Sequence, residues 1–340
     1  MSVRAWLDAL TPKQLLFLAA IEEELRRSGY DVLLTTRIYD ELDTLEDRLG
    51  IETVKVGSHG GDSLDGKLEA SLKRLLDLYK VVKSFAPDVT ITTASPEAAR
   101  ISYGLGIPLL VFNDSPHSVA VARLVAPLAK GLYSPWLIRK SDWLTAGVIP
   151  GNYSKYHAID PVAWLRRRHM WPSRQPWEDA RNSVVIRAGE SKAYYYRGAG
   201  EDAFELAKLL SRDYEVVVLS RYSGRESSNV RVIGPGFFGP NVLEGALAFV
   251  GFGGTMSQEA LLLGIPTISA YPGGYRLEQE LVRRGLIFKA GSLKDAVDLV
   301  HRAVEDARRI RARAEAFNRG LVDPARYAAH EVLHMAGRGS

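Results

Sequence analysis

Gly253, Gly254, Thr255 and Glu259 lie in the run Gly-Phe-Gly-Gly-Thr-Met-Ser-Gln-Glu-Ala-Leu-Leu-Leu-Gly-Ile-Pro, from Gly251 to Pro266, with the spacing of an anion site followed by a diol site. Backbone N–H groups at a glycine turn that enters a helix lack an acceptor, and the helix dipole favours negative charge there, so such a turn can hold phosphate. Glu259, about one helical turn further on, brings a carboxylate able to accept hydrogen bonds from a ribose diol. Close packing alone also puts glycines at strand-to-helix turns, and the dipole alone favours Glu in a first turn.

Three features of the first half could carry acid–base chemistry. Asp114 and His117 follow the apolar run 108–112, at the carboxyl end of a buried strand, where open α/β sheets place ligands. A His with a carboxylate there could serve as general base and orienter for an acceptor hydroxyl. The same segment also reads as a turn built by Asn113 or Asp114, with Ser115 or Ser118 capping the next helix. Asp8 and Thr11 end the first strand at the same edge; they either contact an acceptor or start a helix with Pro12 in its first turn. Glu97, after Ser95-Pro96, stands in a first helical turn, a common place for Glu.

The elements that must position these residues follow from periodicity. In the first half, strands are expected at 3–7, 31–35, 52–56, 89–92 and 108–112, alternating with helices at 12–27, 39–49, 66–85, 96–105 and 119–129. A last strand is expected at 143–146, followed by an irregular linker to residue 182. There Arg166-Arg167-Arg168-His169-Met170-Trp171 reads as a solvated helix end, or alternatively as an acceptor or peripheral membrane contact. The alternation restarts with strands at 183–187, 215–219, 230–233, 247–250 and 266–269, and helices at 201–210, 255–263, 277–284, 293–317 and 324–335. Strands alternating with helices imply βαβ units around parallel sheets.

Composition excludes several classes. The 340 residues suffice for two ordinary domains, and 46% hydrophobic with 25% charged residues is globular. There is no cysteine, so thiolate metal sites, disulfides and cysteine nucleophiles are ruled out. A net charge of +4 suits a phosphorylated ligand, but no long basic tract for nucleic acid is present. No apolar run reaches transmembrane length and no signal segment opens the chain, so a cytoplasmic location is expected.

Two resemblances sharpen this reading. Gly253-Gly254-Thr255 with Glu259 and Leu-Gly-Ile-Pro is similar to the nucleotide-sugar site of GT-B enzymes, including lipid II-type N-acetylglucosaminyltransferases and non-hydrolysing UDP-N-acetylglucosamine 2-epimerases. Trp-Leu-Asp-Ala-Leu-Thr-Pro from Trp6, Phe-Asn-Asp-Ser-Pro-His-Ser from Phe112, and the glycine turn together resemble a mostly archaeal family catalogued as a domain of unknown function with a GT-B-like fold. The resemblance implies an α/β chain of two Rossmann-like domains facing each other across a cleft: 1–165 on the acceptor side, 183–320 on the nucleotide-sugar side, and a C-terminal helix, 321–340, crossing back to the first. It implies that the glycine turn holds diphosphate and Glu259 ribose, that Arg187 and Lys192 meet the diphosphate, and that Phe237 packs on the base. Glu190 and Ser191 share the Arg187 loop, and Tyr194, Tyr195 and Tyr196 line the pocket or belong partly to core and surface. Glu97 lies near a catalytic carboxylate of the epimerases. The chain departs from the transferases in having no glycine-rich turn after the first strand, and from the epimerases in lacking a His-x-Glu-Ala-Gly-like segment at Asn113 to His117.

The expectation is a glycosyltransferase with no tightly bound cofactor and no metal, using a nucleoside diphosphate-sugar, UDP favoured, and an unidentified sugar, lipid-linked or polar acceptor. The alternatives are a 2-epimerase-like enzyme, which needs no acceptor, and a non-catalytic nucleotide- or sugar-binding protein.

Overall fold

Short runs that are apolar throughout can be satisfied only by strands buried on both faces, and parallel sheets provide that. The computed structural model describes residues 2–189, 199–220 and 229–336, which form two units, Met1–Trp171 with Val322–Ser340, and Pro172–Leu321. Unit 1 contains β1 (Arg4–Asp8), α1 (Pro12–Arg27), β2 (Asp31–Ile38), α2 (Asp40–Leu49), β3 (Val54–Ser58), α3 (Leu64–Phe85), β4 (Val89–Thr92), α4 (Pro96–Leu105), β5 (Leu109–Phe112), α5 (Val119–Val125), β6 (Gly131–Pro135), α6 (Lys140–Leu144), β7 (Tyr153–Tyr156) and α7 (Val162–Leu165). Its strands form one parallel sheet in the order β3-β2-β1-β4-β5-β6-β7.

Unit 2 contains β8 (Val184–Arg187), α8 (Ala199–Leu210), β9 (Val216–Leu219), β10 (Val230–Ile233), α9 (Gly239–Leu243), β11 (Ala248–Gly251), α10 (Met256–Leu262), β12 (Thr267–Ser269), α11 (Arg276–Arg283), β13 (Phe288–Lys289), α12 (Leu293–Glu305) and α13 (Ala307–Arg319). The described strands again form a parallel sheet, β10-β9-β8-β11-β12-β13. The chain then returns to unit 1, where α14 (Pro324–Ala336) packs along α1.

Local chemistry explains the helix starts. Thr11 accepts from the Gln14 N–H with Pro12 in the first turn, and Ser63, Ser95 and Ser292 cap α3, α4 and α12 in the same way. Three expectations are corrected. Residues 143–146 are not a strand: Trp143 closes α6 and is buried against Leu132, Ile138 and Val148. The real last strands, β6 and β7, carry Gly, Pro, Ser and Lys, and no apolar run betrays them. The helix expected over 293–317 is broken at Asp306 into α12 and α13. Finally, Arg167 is no solvated helix end.

Arg167 is buried and holds three carboxylates. Its Nε donates to Glu23 Oε2 at 2.8 Å, its Nη1 donates to Asp323 Oδ2 at 3.0 Å, and its Nη2 pairs with Glu24. It thereby fastens α1 to α7 and to the start of α14. Removing one partner of such a cluster leaves uncompensated charge, which is costly. Arg167→Ala is expected to destabilise unit 1 by about 3 kcal/mol. Urea unfolding followed by tryptophan fluorescence reads this unit selectively, because Trp6, Trp136, Trp143, Trp164 and Trp171 lie in it and only Trp177 does not. An unchanged midpoint would show that the three acids are adequately solvated without the guanidinium.

Candidate functional site

At the carboxyl edge of the unit 1 sheet, two cations each serve two carboxylates. Arg74, from the core face of α3, donates from Nη2 to Asp8 Oδ1 at 2.6 Å and from Nη1 to Asp8 Oδ2 at 3.1 Å, and its Nη1 lies 3.8 Å from Glu97 Oε2. Thr35 Oγ1 also donates to Asp8, and Ser71 Oγ donates to Glu97 at 2.6 Å. Arg74 can cross β3 because Gly57 has no side chain: a Cβ there would meet the Arg74 stem at 2.9 Å. Asp8, expected either to contact an acceptor or to start the helix, is 0% exposed and holds Arg74. Glu97 is drawn into the same buried cluster.

The second cation is Lys13, in the first turn of α1. Its Nζ lies 2.6 Å from Asp114 Oδ2 and 2.9 Å from Asp160 Oδ2. Ser115 Oγ donates to Asp114 Oδ1 at 2.7 Å, and the Tyr156 hydroxyl donates to Asp160 Oδ1. Burial alone would lower the Lys13 pKa, but Asp114 and Asp160 outweigh it and hold the ammonium firmly charged. Burial pushes Asp160 up, reinforced by the charge of Asp114 and opposed by Lys13. Burial acts on Asp114 too, yet Lys13 and Ser115 overcome it and keep that carboxyl below its ordinary value. Two carboxyls thus share one ammonium, with their affinities for protons driven in opposite directions.

His117 follows in the exposed loop before α5. Desolvation lowers its pKa and Lys13 adds to that, while Asp114 pulls it up, so the balance favours the neutral imidazole. Asn113 builds the turn that presents Asp114: its Oδ1 accepts from the Ser115 N–H at 2.7 Å and its Nδ2 donates to the Thr93 carbonyl at 2.7 Å. Ser118 precedes α5 without a side-chain cap bond.

In unit 2 the strand order reverses between β8 and β11, and Arg187 pairs in register with Gly251 at the carboxyl edge of that switch point. The Arg187 guanidinium lies over the Phe237 ring, 5.1 Å from its centroid. The Phe237 loop is set by Glu178, whose Oε1 accepts from the Phe238 N–H at 2.6 Å while its Oε2 accepts from the Gln175 N–H at 2.9 Å. Gly253 and Gly254 have φ of +100° and +96°, a region that L side chains rarely enter. Neither Thr255 nor Ser257 caps α10; the Ser257 hydroxyl is buried with no hydrogen-bond partner. Glu259 is 5% exposed, and its Oε2 would lie 2.8 Å from a Cβ on Gly239. The carboxylate therefore occupies space that only glycine leaves open at the start of α9.

The loop after β12 leans on this turn. The Tyr275 hydroxyl donates to the Gly254 carbonyl at 3.2 Å, and a Cβ on Gly253 would meet the Tyr271 ring at 3.3 Å. Lys289 fastens the loop, donating to the carbonyls of Tyr271 and Gly273 and pairing with buried Glu278 at 2.9 Å. Lys192, with Glu190, Ser191, Tyr194, Tyr195 and Tyr196, lies outside the described residues. Among the described residues no three His, Asp or Glu side chains gather as a metal site, and no helix is long and apolar enough to cross a membrane.

The sequence reading missed Lys13, Arg74, Asp160 and Glu178. Lys13 carried a signal: a cation in the first turn of α1, where no acid is present, opposes the helix dipole. Arg74 carried another, since with Leu78 and Val82 it occupies the buried stripe of α3 at four-residue spacing. Asp160 and Glu178 sit in the stretch expected to be a linker and carried none.

An uncharacterized protein of Methanocaldococcus jannaschii, MJ0665, is 24% identical over 309 residues, covering 87% of this chain and 90% of the relative. Among solved structures, the M. jannaschii UDP-GlcNAc 2-epimerase in complex with UDP-GlcNAc and UDP matches with a TM-score of 0.72 at 14% identity, over 99% of this chain and 100% of that one. The glycosyltransferase SnogD from Streptomyces nogalater matches with a TM-score of 0.61 at 18% identity, over 99% and 100%. At these identities the likeness is one of fold, and it bears out the GT-B-like architecture of two parallel-sheet α/β domains. The family match extends from residue 3 to residue 329, and the chain belongs to the family described as protein of unknown function (DUF354).

Proposed function

We propose that this protein is a glycosyltransferase that moves a sugar from a nucleoside diphosphate, UDP favoured, to an acceptor hydroxyl without a metal. The observation that carries the reading is the grouping of Arg187, the Gly253-Gly254 turn and buried Glu259 at the switch point of unit 2. Backbone N–H groups of Gly253, Gly254 and Thr255 would bind the diphosphate, Glu259 the ribose diol and Phe237 the base. Arg187, with Lys192, would offset the charge that grows on the diphosphate as the bond to the sugar breaks. The acceptor hydroxyl would give its proton to neutral His117, with Asp114 steadying the imidazolium formed. That an M. jannaschii epimerase of similar fold holds UDP-GlcNAc and UDP favours a uridine donor.

A second reading draws support from Lys13, Asp114 and Asp160. An epimerase-like enzyme eliminates and re-adds the nucleotide, so it needs a base and an acid on the sugar, and this coupled pair of carboxyls supplies both kinds of group. Incubation with UDP-GlcNAc alone in deuterium oxide separates the two: deuterium at C2 of the sugar supports elimination and re-addition, and sugar release only when an acceptor is added supports transfer.

Calorimetric titration with UDP, GDP, ADP, dTDP and CMP tests the donor site. Glu259→Ala is expected to weaken the favoured nucleotide about 10- to 100-fold, the worth of hydrogen bonds to a charged group. Gly239→Ala should approach the same loss with Glu259 intact, because the new methyl displaces its carboxylate. No binding by the unmodified protein would remove the nucleotide-sugar reading altogether.

The pH response of His117 tests the base. Asp114 raises its pKa and Lys13 lowers it, so Asp114→Asn should shift the His117 titration to lower pH, further from its ordinary 6.5. Imidazole proton shifts followed by NMR read this directly. A shift to higher pH would mean that Asp114 does not act on His117.

A further inference from the structure

We propose that α3 is the seam of a homodimer, in which it lies antiparallel against α3 of a second copy about a two-fold axis passing between Leu72 and Leu76. This rests on surface chemistry and is independent of the function proposed above. The buried side of α3 is narrow, with Arg74, Leu78 and Val82 facing the core. On the opposite side, Leu72 and Leu76 are 56% and 68% exposed, with Leu64, Leu68 and Tyr79 also exposed. Nothing in solubility or local helix stability calls for such a row, and contiguous apolar surface of this kind marks an interaction site.

The ends of the row say what covers it. Asp65, Glu69, Leu72, Leu76, Tyr79 and Lys83 are spaced alternately four and three residues apart, the ladder with which one helix seats on another, and all six are exposed. The ladder spans about 27 Å at 1.5 Å per residue. Its first half ends in acids and its second half in a base, with Lys80 beside it. Reversed against itself about the Leu72–Leu76 midpoint, each position meets a complement: Leu72 meets Leu76 of the second copy, Glu69 meets the Tyr79 hydroxyl, and Asp65 meets Lys83. A parallel pairing would instead set Asp65 against Asp65 and Lys83 against Lys83, which like-charge repulsion disfavours. Within one chain these charges have only weak exposed partners: Glu69 pairs with Lys73, and Lys83 lies over the Tyr79 ring.

Sedimentation equilibrium of the full chain at micromolar concentration is the test. The expected mass is twice 37.6 kDa, and Leu72→Glu with Leu76→Glu should weaken dimerisation at least about 100-fold while far-ultraviolet circular dichroism stays unchanged. Asp65→Lys and Lys83→Asp should each weaken the dimer, and the two together should restore it, an outcome that a merely hydrophobic or parallel contact does not produce. A monomeric wild type overturns the proposal, whether it stays free or cosediments with phosphatidylglycerol vesicles through these leucines. A dimer indifferent to the leucine substitutions overturns it equally.

Discussion

A cation buried at the edge of a parallel sheet must be matched by carboxylates, and in unit 1 each such cation is matched by two. Arg74 stands between Asp8 and Glu97, and Lys13 between Asp114 and Asp160. Arg37 adds its charge to the first group, acting on both Glu97 and Asp8, whereas the second has two acids on one ammonium. For the lysine cluster the consequence is visible: Asp160 is pushed toward the protonated form while Asp114 is held ionised. The arginine cluster is deeper and is pinned on every side, by Thr35, Ser71, Ser95 and the Val56 carbonyl. Replacing either cation would leave two acids unpaired in a poorly solvated place, so the arrangement resists change as a whole. The rigid pair of Arg74 and Asp8 fixes the carboxyl ends of β1 and β3, and the responsive group of Lys13, Asp114 and Asp160 occupies the ends of β5 and β7.

Unit 2 reaches its site by the opposite route. Its switch point is shaped by missing side chains: a Cβ on Gly251 would meet the Ser257 hydroxyl at 2.7 Å, and one on Gly239 would meet the Glu259 carboxylate at 2.8 Å. Backbone donors and one buried acid fill the space. The surrounding loops are held from behind, the Phe237 loop by Glu178 and the Tyr271 loop by Lys289. Loops tied in this way are held in place beforehand, so a ligand seated between them would cost little further ordering.

The contrast explains what could be read from the amino-acid order. Glycine turns, caps and buried strands are local, so Gly253, Gly254 and Glu259 and the succession of βαβ units were visible. Partners distant in sequence were not. Asp8 reads as a candidate for chemistry until Arg74, sixty-six residues on, is found to enclose it. Asp160 and Glu178 lie among Pro, Trp and Arg with no periodicity, and only the fold brings them to Lys13 and the Phe238 N–H. The run of arginines at 166–168 misled because composition cannot separate a solvated cation from one ringed by Glu23, Glu24 and Asp323. The strands β6 and β7 escaped notice because they owe their place to pairing, β6 with β5 and β7 with β6, rather than to their own propensity.

Fold and chemistry thus rest on separable parts of the chain. Parallel strands need only to be apolar and short, and turns need only glycine, so an epimerase at 14% identity and a transferase at 18% can share the architecture from end to end. The edge charges are under no such general rule. Moving Lys13 from its turn of α1 would change no strand, yet it would release Asp114 and Asp160 to repel each other and return His117 to the influence of a bare carboxylate. The charge state of this edge therefore depends on a few side chains that act on one another, and Lys13, against the dipole of its own helix, is the one that sets the others.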